Sequence, residues 1–378
     1  MHIAYLTTEY PPHNTGGIGT SIQNLGRELV RQGHRVTVLG IGSSMEWNDE
    51  GVHVKFLGQT RVPKLGWFLN RLQVVSEINR LIADDGLEIV EAPDWMGLSA
   101  GMKLNCPLVI RCNGSDTYFG SMLGYRPRWS TYLAEKIALS QANQIVAVTR
   151  FAAERTRTLF KLKKDIDVIP NGVNTGIYFP DSSISEDDSL ILYYGSLIRK
   201  KGILDLAKIF TLVAAMDSSV RLLMVGRDSA DRQSGKDSTW DLFQQLATPY
   251  ALQRIEYLGA KPANEFVDLI RQSAVCVFPS YAETFGLAWA EAMACGKAVI
   301  ASNIGWANEI IENGVSGVLI HPVAHKEYAD AIVDLLNDPN KRKHIGQNAR
   351  ERVKQLFSIQ RVAKLSLDWY SEIINAQN

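Results

Sequence analysis

The chain reads as an α/β protein built from two doubly wound, mostly parallel sheets. Three observations predict this. Apolar runs such as Ala274–Phe278 and Ala298–Ala301 read as strands buried on both faces. Helical stretches lie between such runs, so strand and helix alternate along the chain. Finally, 378 residues exceed one ordinary core and suit two domains of roughly 200 residues or fewer each.

Composition removes some functions. Forty basic and forty acidic residues give a formal net charge of zero, so the whole molecule has no electrostatic basis for binding nucleic acid. Any basic site must be local. The four cysteines, Cys106, Cys112, Cys276 and Cys295, form no C-x-x-C pair and fit a reduced chain in which most serve as small core residues. Met1 is followed almost at once by strand-like Ile3–Leu6, and no apolar run is long enough to span a bilayer. A cytoplasmic protein is expected.

In chain order, His2–Thr8 reads as the first strand and Ser21–Gln32 as an amphipathic helix stopping at Gly33. Between them Gly16 and Gly17 fall where a strand gives way to a helix, a place where backbone amides can approach a phosphate. The same glycines also fit a flexible turn. Strands are expected at Arg35–Gly40, Val52–Leu57, Glu88–Val90, Leu108–Cys112, Ile145–Val148 and Asp167–Ile169, with a helix over Gly66–Ala83. Asn113-Gly114-Ser115-Asp116 follows a strand and reads by its residues as an Asx-type turn. Ile169-Pro170-Asn171-Gly172 marks a turn, and the polar, acidic Asp181–Ser189 reads as the interdomain linker.

The second half restarts with strand Leu190–Tyr194, then Gly195-Ser196-Leu197-Ile198-Arg199-Lys200-Lys201-Gly202 and a helix to about Met216. Three consecutive cations at a strand-to-helix loop suit a pyrophosphate, although a solvated basic turn would look the same. Strands Val220–Val225 and Ile255–Gly259 follow. Between Phe278 and Ala298 lies Glu283-Thr284-Phe285-Gly286-Leu287, and the expected helix runs from Thr284 or Phe285 to Gly296. Its amides open at the carboxyl edge of the sheet, where an anionic ligand is favoured. Glu283 and Glu291 are eight residues apart, about two turns on one helical side. Uncharged sugar hydroxyls, rather than phosphate, suit carboxylates at such a place. Strand Val318–Ile320 and helices His325–Leu336, Asn340–Gln355 and Ile359–Asn375 complete the chain.

The string E-T-F-G-L-A-W-A-E-A-M-A-C-G-K-A-V-I-A-S resembles the E-x7-E donor site of the retaining glycosyltransferases of family 4, the glycogen-synthase-like group with the GT-B fold. The resemblance implies two Rossmann-like domains facing across a cleft: residues 1–172 for the acceptor and 173–358 for the donor. A final helix over about 359–378 would cross back to the first domain. It implies that Glu283 contacts the transferred sugar, that the backbone of Phe285, Gly286 and Leu287 contacts sugar and diphosphate, and that Glu291 holds the ribose. Gly16 and Gly17 would face the diphosphate, and Leu258 and Gly259 would flank the base. Against the family's G-R-x-x-x-x-K-G, Lys201 falls on the phosphate-binding lysine while Ser196 replaces the arginine, and Arg199 is expected to supply that cation. Asn113 stands where the family often has a histidine beside the reacting sugar. An amide there can bind a hydroxyl but cannot titrate near neutral pH.

The implied activity is retaining transfer of a hexosyl group from a UDP- or GDP-sugar to a sugar, glycolipid or small-molecule hydroxyl. Cell-surface polysaccharide or glycoconjugate synthesis is the expected setting, with no cofactor and no metal, the cations standing in its place. Asp165-Ile166-Asp167 reads D-x-D but lies away from these motifs, and Pro322 between His321 and His325 argues against one helical metal-binding face. An epimerase or phosphorylase on the same fold, or a two-lobed sugar-binding protein, is the alternative. Lys55, Arg61, Lys64 and Arg71, with Trp67 and Phe68 and no acid among them, suit a phosphorylated acceptor or weak contact with an anionic membrane face. An amphipathic helix with its aromatics in the core is the other reading of that stretch.

Overall fold

The computed structural model describes residues 1–13, 16–62 and 65–376. It divides into two compact units, one of Met1–Gly172 with the chain from Ile359 on, the other of Val173–Ser358.

The first unit runs β1 (His2–Thr7), α1 (Gly17–Arg31), β2 (Arg35–Gly42), β3 (Met45–Asp49), β4 (Val52–Gly58), α2 (Gly66–Asp85) and β5 (Ile89–Pro93). It continues with β6 (Leu108–Cys112), α3 (Asp116–Leu123), α4 (Trp129–Gln141), β7 (Gln144–Ala147), α5 (Arg150–Phe160) and β8 (Asp167–Val168). Among the described residues the sheet order is β3-β4-β2-β1-β5-β6-β7-β8. Every pair is parallel except β3 with β4. The chain moves outward from β1 to β2 and then returns to β5 on the other side, so the strand order reverses between β1 and β5. Ile3 pairs with Val36 on one side and Ile89 on the other, and all three are buried, as a central parallel strand requires. Strand β3 escapes the apolar pattern because it is a half-exposed edge strand. Helix α1 opens earlier than its apolar periodicity predicts, which places Gly16 at the cap and Gly17 at the first helical position.

The second unit runs β9 (Asp187–Tyr194), α6 (Ile203–Met216), β10 (Arg221–Val225), α7 (Thr239–Leu246), α8 (Pro249–Leu252), β11 (Ile255–Tyr257), α9 (Ala263–Gln272) and β12 (Ser273–Phe278). Then come α10 (Leu287–Ala294), β13 (Ala298–Ser302), α11 (Ala307–Ile310), β14 (Val318–Ile320), α12 (His325–Asn337) and α13 (Pro339–Leu356). The parallel sheet has the order β11-β10-β9-β12-β13-β14 and reverses between β9 and β12. Asp181–Ser189 is not a linker: the unit begins at Val173, and Asp187 already opens β9. The acidic residues there are anchored, with Lys297 and Arg342 paired to Glu186, and Arg342 also to Asp188.

The last helix, α14 (Ile359–Asn375), packs on the first unit's core. Ile359, Val362, Ala363, Trp369, Tyr370 and Ile373 join Ile3, Tyr5, Val36 and Val38 there. Polar anchors fix the register: Tyr370 donates to Glu91 at 2.6 Å, Glu91 accepts both arms of buried Arg111, and Trp369 donates to Asp167 at 2.7 Å. Asp167 of the D-x-D string is thereby a structural acceptor, and Asp165 stands in solvent near Arg157.

Candidate active site

The reversal between β9 and β12 brings together two loops that are distant in sequence. The loop after β9 carries Ser196, Arg199 and Lys201, and the loop after β12 carries Glu283 and leads into α10. A crevice at the carboxyl ends of such strands is where open α/β sheets bind ligands. Lys201 reaches Glu283 there, its ammonium donating to Oε1 of the carboxylate. The loops are also joined through the backbone, Tyr281 N–H donating to Lys200 C=O at 2.8 Å. Gly202 makes that approach possible: its φ is +72°, and a Cβ would lie 1.8 Å from the Pro279 carbonyl oxygen.

Helix α10 begins at Leu287, not at Thr284 or Phe285, and its cap is Gly286 rather than a threonine hydroxyl. The reason lies in the backbone: Gly286 takes φ +88°, a left-handed turn closed to Thr284 or Phe285 at little cost. Phe285 is buried edge-on against Phe357, so only its backbone can face a ligand. The helix ends as the sequence predicts, with Gly296 at φ +73° just beyond it.

Glu291, two turns into α10, is buried. Desolvation pushes its carboxyl up to about 8, opposed by a hydrogen bond from Tyr178 and by the charge of Lys201. Tyr178 is itself buried, and its hydroxyl is pushed up by the same burial and by Glu291. Lys201 therefore lies close enough to influence both glutamates. Tyr178 sits in a stretch that reads in sequence only as the approach to a linker, so the one signal for it is a phenol within Ile177-Tyr178-Phe179-Pro180.

Arg199 lies apart from that pair. Its Nε and Nη2 donate to Asp231 at 2.9 and 2.7 Å, and Asp231, buried, also accepts from Ser234 N–H and Oγ. These donors hold the Asp231 carboxyl well below the usual carboxylate range, the Arg199 hydrogen bond most of all. Asp231 belongs to a polar stretch whose sequence suggests only a surface loop. Leu258 and Gly259 follow β11 directly; Gly226 N–H donates to Gly259 C=O at 2.8 Å, and Trp240 leans on Tyr257 with ring centroids 4.8 Å apart.

In the first unit the loops after β1, β5 and β6 adjoin the other strand-order reversal. Glu9 accepts from Gly19 N–H at 2.9 Å, and its carboxylate occupies the space a Gly16 side chain would need, whereas Gly17 faces open space. Half-buried Asn113 donates its backbone N–H to Asp94 at 2.9 Å, and Gly114 donates to the same carboxyl at 3.3 Å. Asp94 is fully buried, and desolvation raises its carboxyl to about 8. Ser115 caps α3 by accepting from Tyr118 N–H, so this part of the loop has a structural task. His325 pairs with Asp205, and His321 lies edge-on to the Tyr281 ring. Among the described residues, no three His, Cys, Asp or Glu side chains converge as a metal site would require.

Comparison with known proteins settles the family. Residues 175–352 match the glycosyl transferases group 1 family, and residues 15–176 match glycosyltransferase family 4. The chain belongs to these glycosyltransferases. An uncharacterised glycosyltransferase of Methanocaldococcus jannaschii is 27% identical, with 98% of each chain covered. Sucrose-phosphate synthase from Thermosynechococcus elongatus superimposes with a TM-score of 0.83 at 22% identity, covering 99% of both chains. Anabaena HepE, solved in complex with UDP and glucose, gives 0.76 at 18% identity over 98% of this chain and 99% of that one. The fold of this glycosyltransferase is GT-B.

Proposed function

We propose that the protein moves a hexosyl group from a nucleoside diphosphate sugar to a hydroxyl of a sugar, glycolipid or small-molecule acceptor, with retention of anomeric configuration. Synthesis of a cell-surface polysaccharide or glycoconjugate is the setting we assign. The observation that carries this reading is the meeting of Lys201 and Glu283 at the β9/β12 reversal, beside the opening of α10.

Negative charge builds on the leaving diphosphate as the glycosidic bond breaks. A lysine ammonium and the first amides of a helix stabilise that charge most where water is excluded. The Lys201 ammonium is paired with Glu283. With donor bound, Lys201 turns to the phosphate, and the released carboxylate accepts a hydrogen bond from a sugar hydroxyl. Glu291 takes the ribose hydroxyls and Tyr178 steadies it, while Leu258 and Gly259 flank the base. Arg199 keeps Asp231 and offers its remaining Nη1 to the diphosphate beside Ser196. Asn113 binds an acceptor hydroxyl without titrating. The leaving phosphate oxygen takes the acceptor's proton, so no side chain is required as covalent nucleophile.

The test is release of nucleoside diphosphate coupled to incorporation of sugar into an acceptor. UDP-glucose is the first donor to try, because HepE was solved with UDP and glucose. An epimerase would convert the donor without releasing diphosphate. UDP at about 100 times its dissociation constant should stabilise the protein by roughly 2.7 kcal/mol. Because Lys201 and Arg199 supply the positive charge, turnover should survive exhaustive chelation. A loss of more than about tenfold, restored by magnesium or manganese, would overturn the assignment of charge to these residues.

A further inference from the structure

Helix α2 is apolar on two opposite sides. Val74, Ile78 and Leu81 are buried. Leu65, Phe68 and Leu72, at i, i+3 and i+7, form a second stripe about half a turn away on the helical wheel. That spacing ordinarily marks a buried face, yet these residues are 57%, 52% and 48% exposed, and Trp67 beside them is 54% exposed.

The basic stretch read from the sequence is also redistributed. Lys55 is paired with Glu77, and Arg71 is buried, donating to the Gly97 and Ala100 carbonyls while stacking on Trp67. Lys64 lies outside the described residues. Arg61 remains exposed.

A second stretch, invisible to that reading, joins the first. The Gly97 carbonyl that binds Arg71 belongs to a short 3-10 turn over Trp95–Gly97, and Gly97 packs directly against Ala134 of α4. At the start of α4, Tyr125 and Trp129 are exposed, Trp129 by 73%, next to exposed Arg126 and Arg128. Met96, exposed as well, lies on the turn between the two stretches. Neither Gly51–Ser76 nor Thr117–Ala134 contains an acidic residue. The neighbouring Glu77 is engaged by Lys55 and Arg80, Asp116 accepts from Tyr125, and Glu135 is buried. In a molecule of zero formal charge this is a locally cationic surface that also carries solvent-facing aromatic and aliphatic side chains.

We infer that this surface docks the protein on an anionic lipid bilayer. The apolar stripe and the Trp and Tyr rings would enter the headgroup region, with arginines bound to lipid phosphates. Charge complementarity selects this partner, because a neutral apolar partner would gain nothing from the arginines. Among the described residues no helix is long and apolar enough to cross a membrane, so the contact is peripheral.

The test is co-sedimentation of the full chain with phosphatidylcholine vesicles and with vesicles containing phosphatidylglycerol. Binding is expected only to the latter and should weaken as salt is raised. Phe68→Glu with Leu72→Glu should abolish it. Arg126→Gln with Arg128→Gln should weaken it by about 25-fold, near fivefold for each cation. All variants should keep the parent's circular dichroism and UDP affinity, which separates this surface from the transfer site. No binding to either vesicle, or unchanged binding by the variants, overturns the inference. So does a shift from dimer to monomer in Phe68→Glu without vesicle binding, which would make the stripe a contact between copies.

Discussion

At the residue scale the proposed function gives the two glutamates of α10 and its approach different tasks, and their surroundings differ accordingly. Glu283 is paired with Lys201, whereas Glu291 is buried beside Tyr178. A contact that positions the anomeric carbon acts on the chemical step, while a ribose contact acts about equally in ground and transition states. Glu283→Gln should therefore lower kcat by about 5- to 150-fold, the worth of an impaired hydrogen bond to a charged group. Free diphosphate should bind that variant at least as tightly as the parent, because Lys201 no longer has to leave a carboxylate. Glu291→Gln should instead raise the donor KM and the diphosphate Kd together. Tyr178→Phe should follow Glu291, with a rise in KM of roughly 2- to 10-fold and little change in kcat, since it removes one neutral donor to the carboxyl. Steady-state kinetics and calorimetry on the same preparations check all three. Equal weakening of free diphosphate by both glutamate variants would defeat the division of roles.

At the element scale, every strand but β3 was legible: β1, β6, β9, β12 and β13 announce themselves as apolar runs, and β2, β4, β5, β7, β8, β10, β11 and β14 also fall where the sequence places strands. The elements that escaped have their reasons on the surface or in polar contacts. Edge strand β3 is half exposed, and α3 opens with a serine cap and the polar run that also reads as an Asx turn. The opening of α10 was misplaced because a left-handed glycine, not a capping side chain, turns the chain into it. In the candidate site, Lys201 and Glu283 were legible from their motifs. Asp231, Asp94 and Tyr178 were not, because what distinguishes them is burial beside a specific partner, and a single polar letter in a loop does not carry that. Gly202 shows how tightly one position can be fixed. Gly202→Ala combines a left-handed backbone with a Cβ against Pro279 C=O, so it should destabilise the second unit on the order of 2–4 kcal/mol. That corresponds to a thermal midpoint lower by roughly 5–10 °C, with UDP affinity weakened because the Lys201 loop must move. A midpoint within experimental error of the parent's would mean that the two loops are not locked together.

At the scale of the whole molecule, each unit buries a carboxyl close to its strand-order reversal, Asp94 in the first and Glu291 in the second, and in both desolvation raises the pKa to about 8. The folded protein thus holds each proton more tightly than the unfolded chain, where a carboxylic acid titrates near 4. Below that value the contribution of each group to stability is fully present. It is lost as pH rises from about 4 through about 8, at no more than about 1.4 kcal/mol per pH unit for each group. Lys200 works in the other direction in the second unit, since desolvation pushes its ammonium down to about 8 and so favours the folded state as pH climbs toward the ordinary lysine value. The total pH profile therefore mixes opposing slopes, and the informative quantity is a difference between parent and variant. Glu291→Gln keeps the shape of the side chain and removes its titration, so it should gain stability relative to the parent steadily from about pH 5 to pH 8 and level off above that. Asp94→Asn should show the same trend through the first unit. Urea unfolding of parent and variants across this range measures it. A parent-to-variant difference that stays constant with pH would show that the carboxyl is not held protonated by its burial, and Glu291 would then have to be treated as an ordinary carboxylate in the unliganded enzyme.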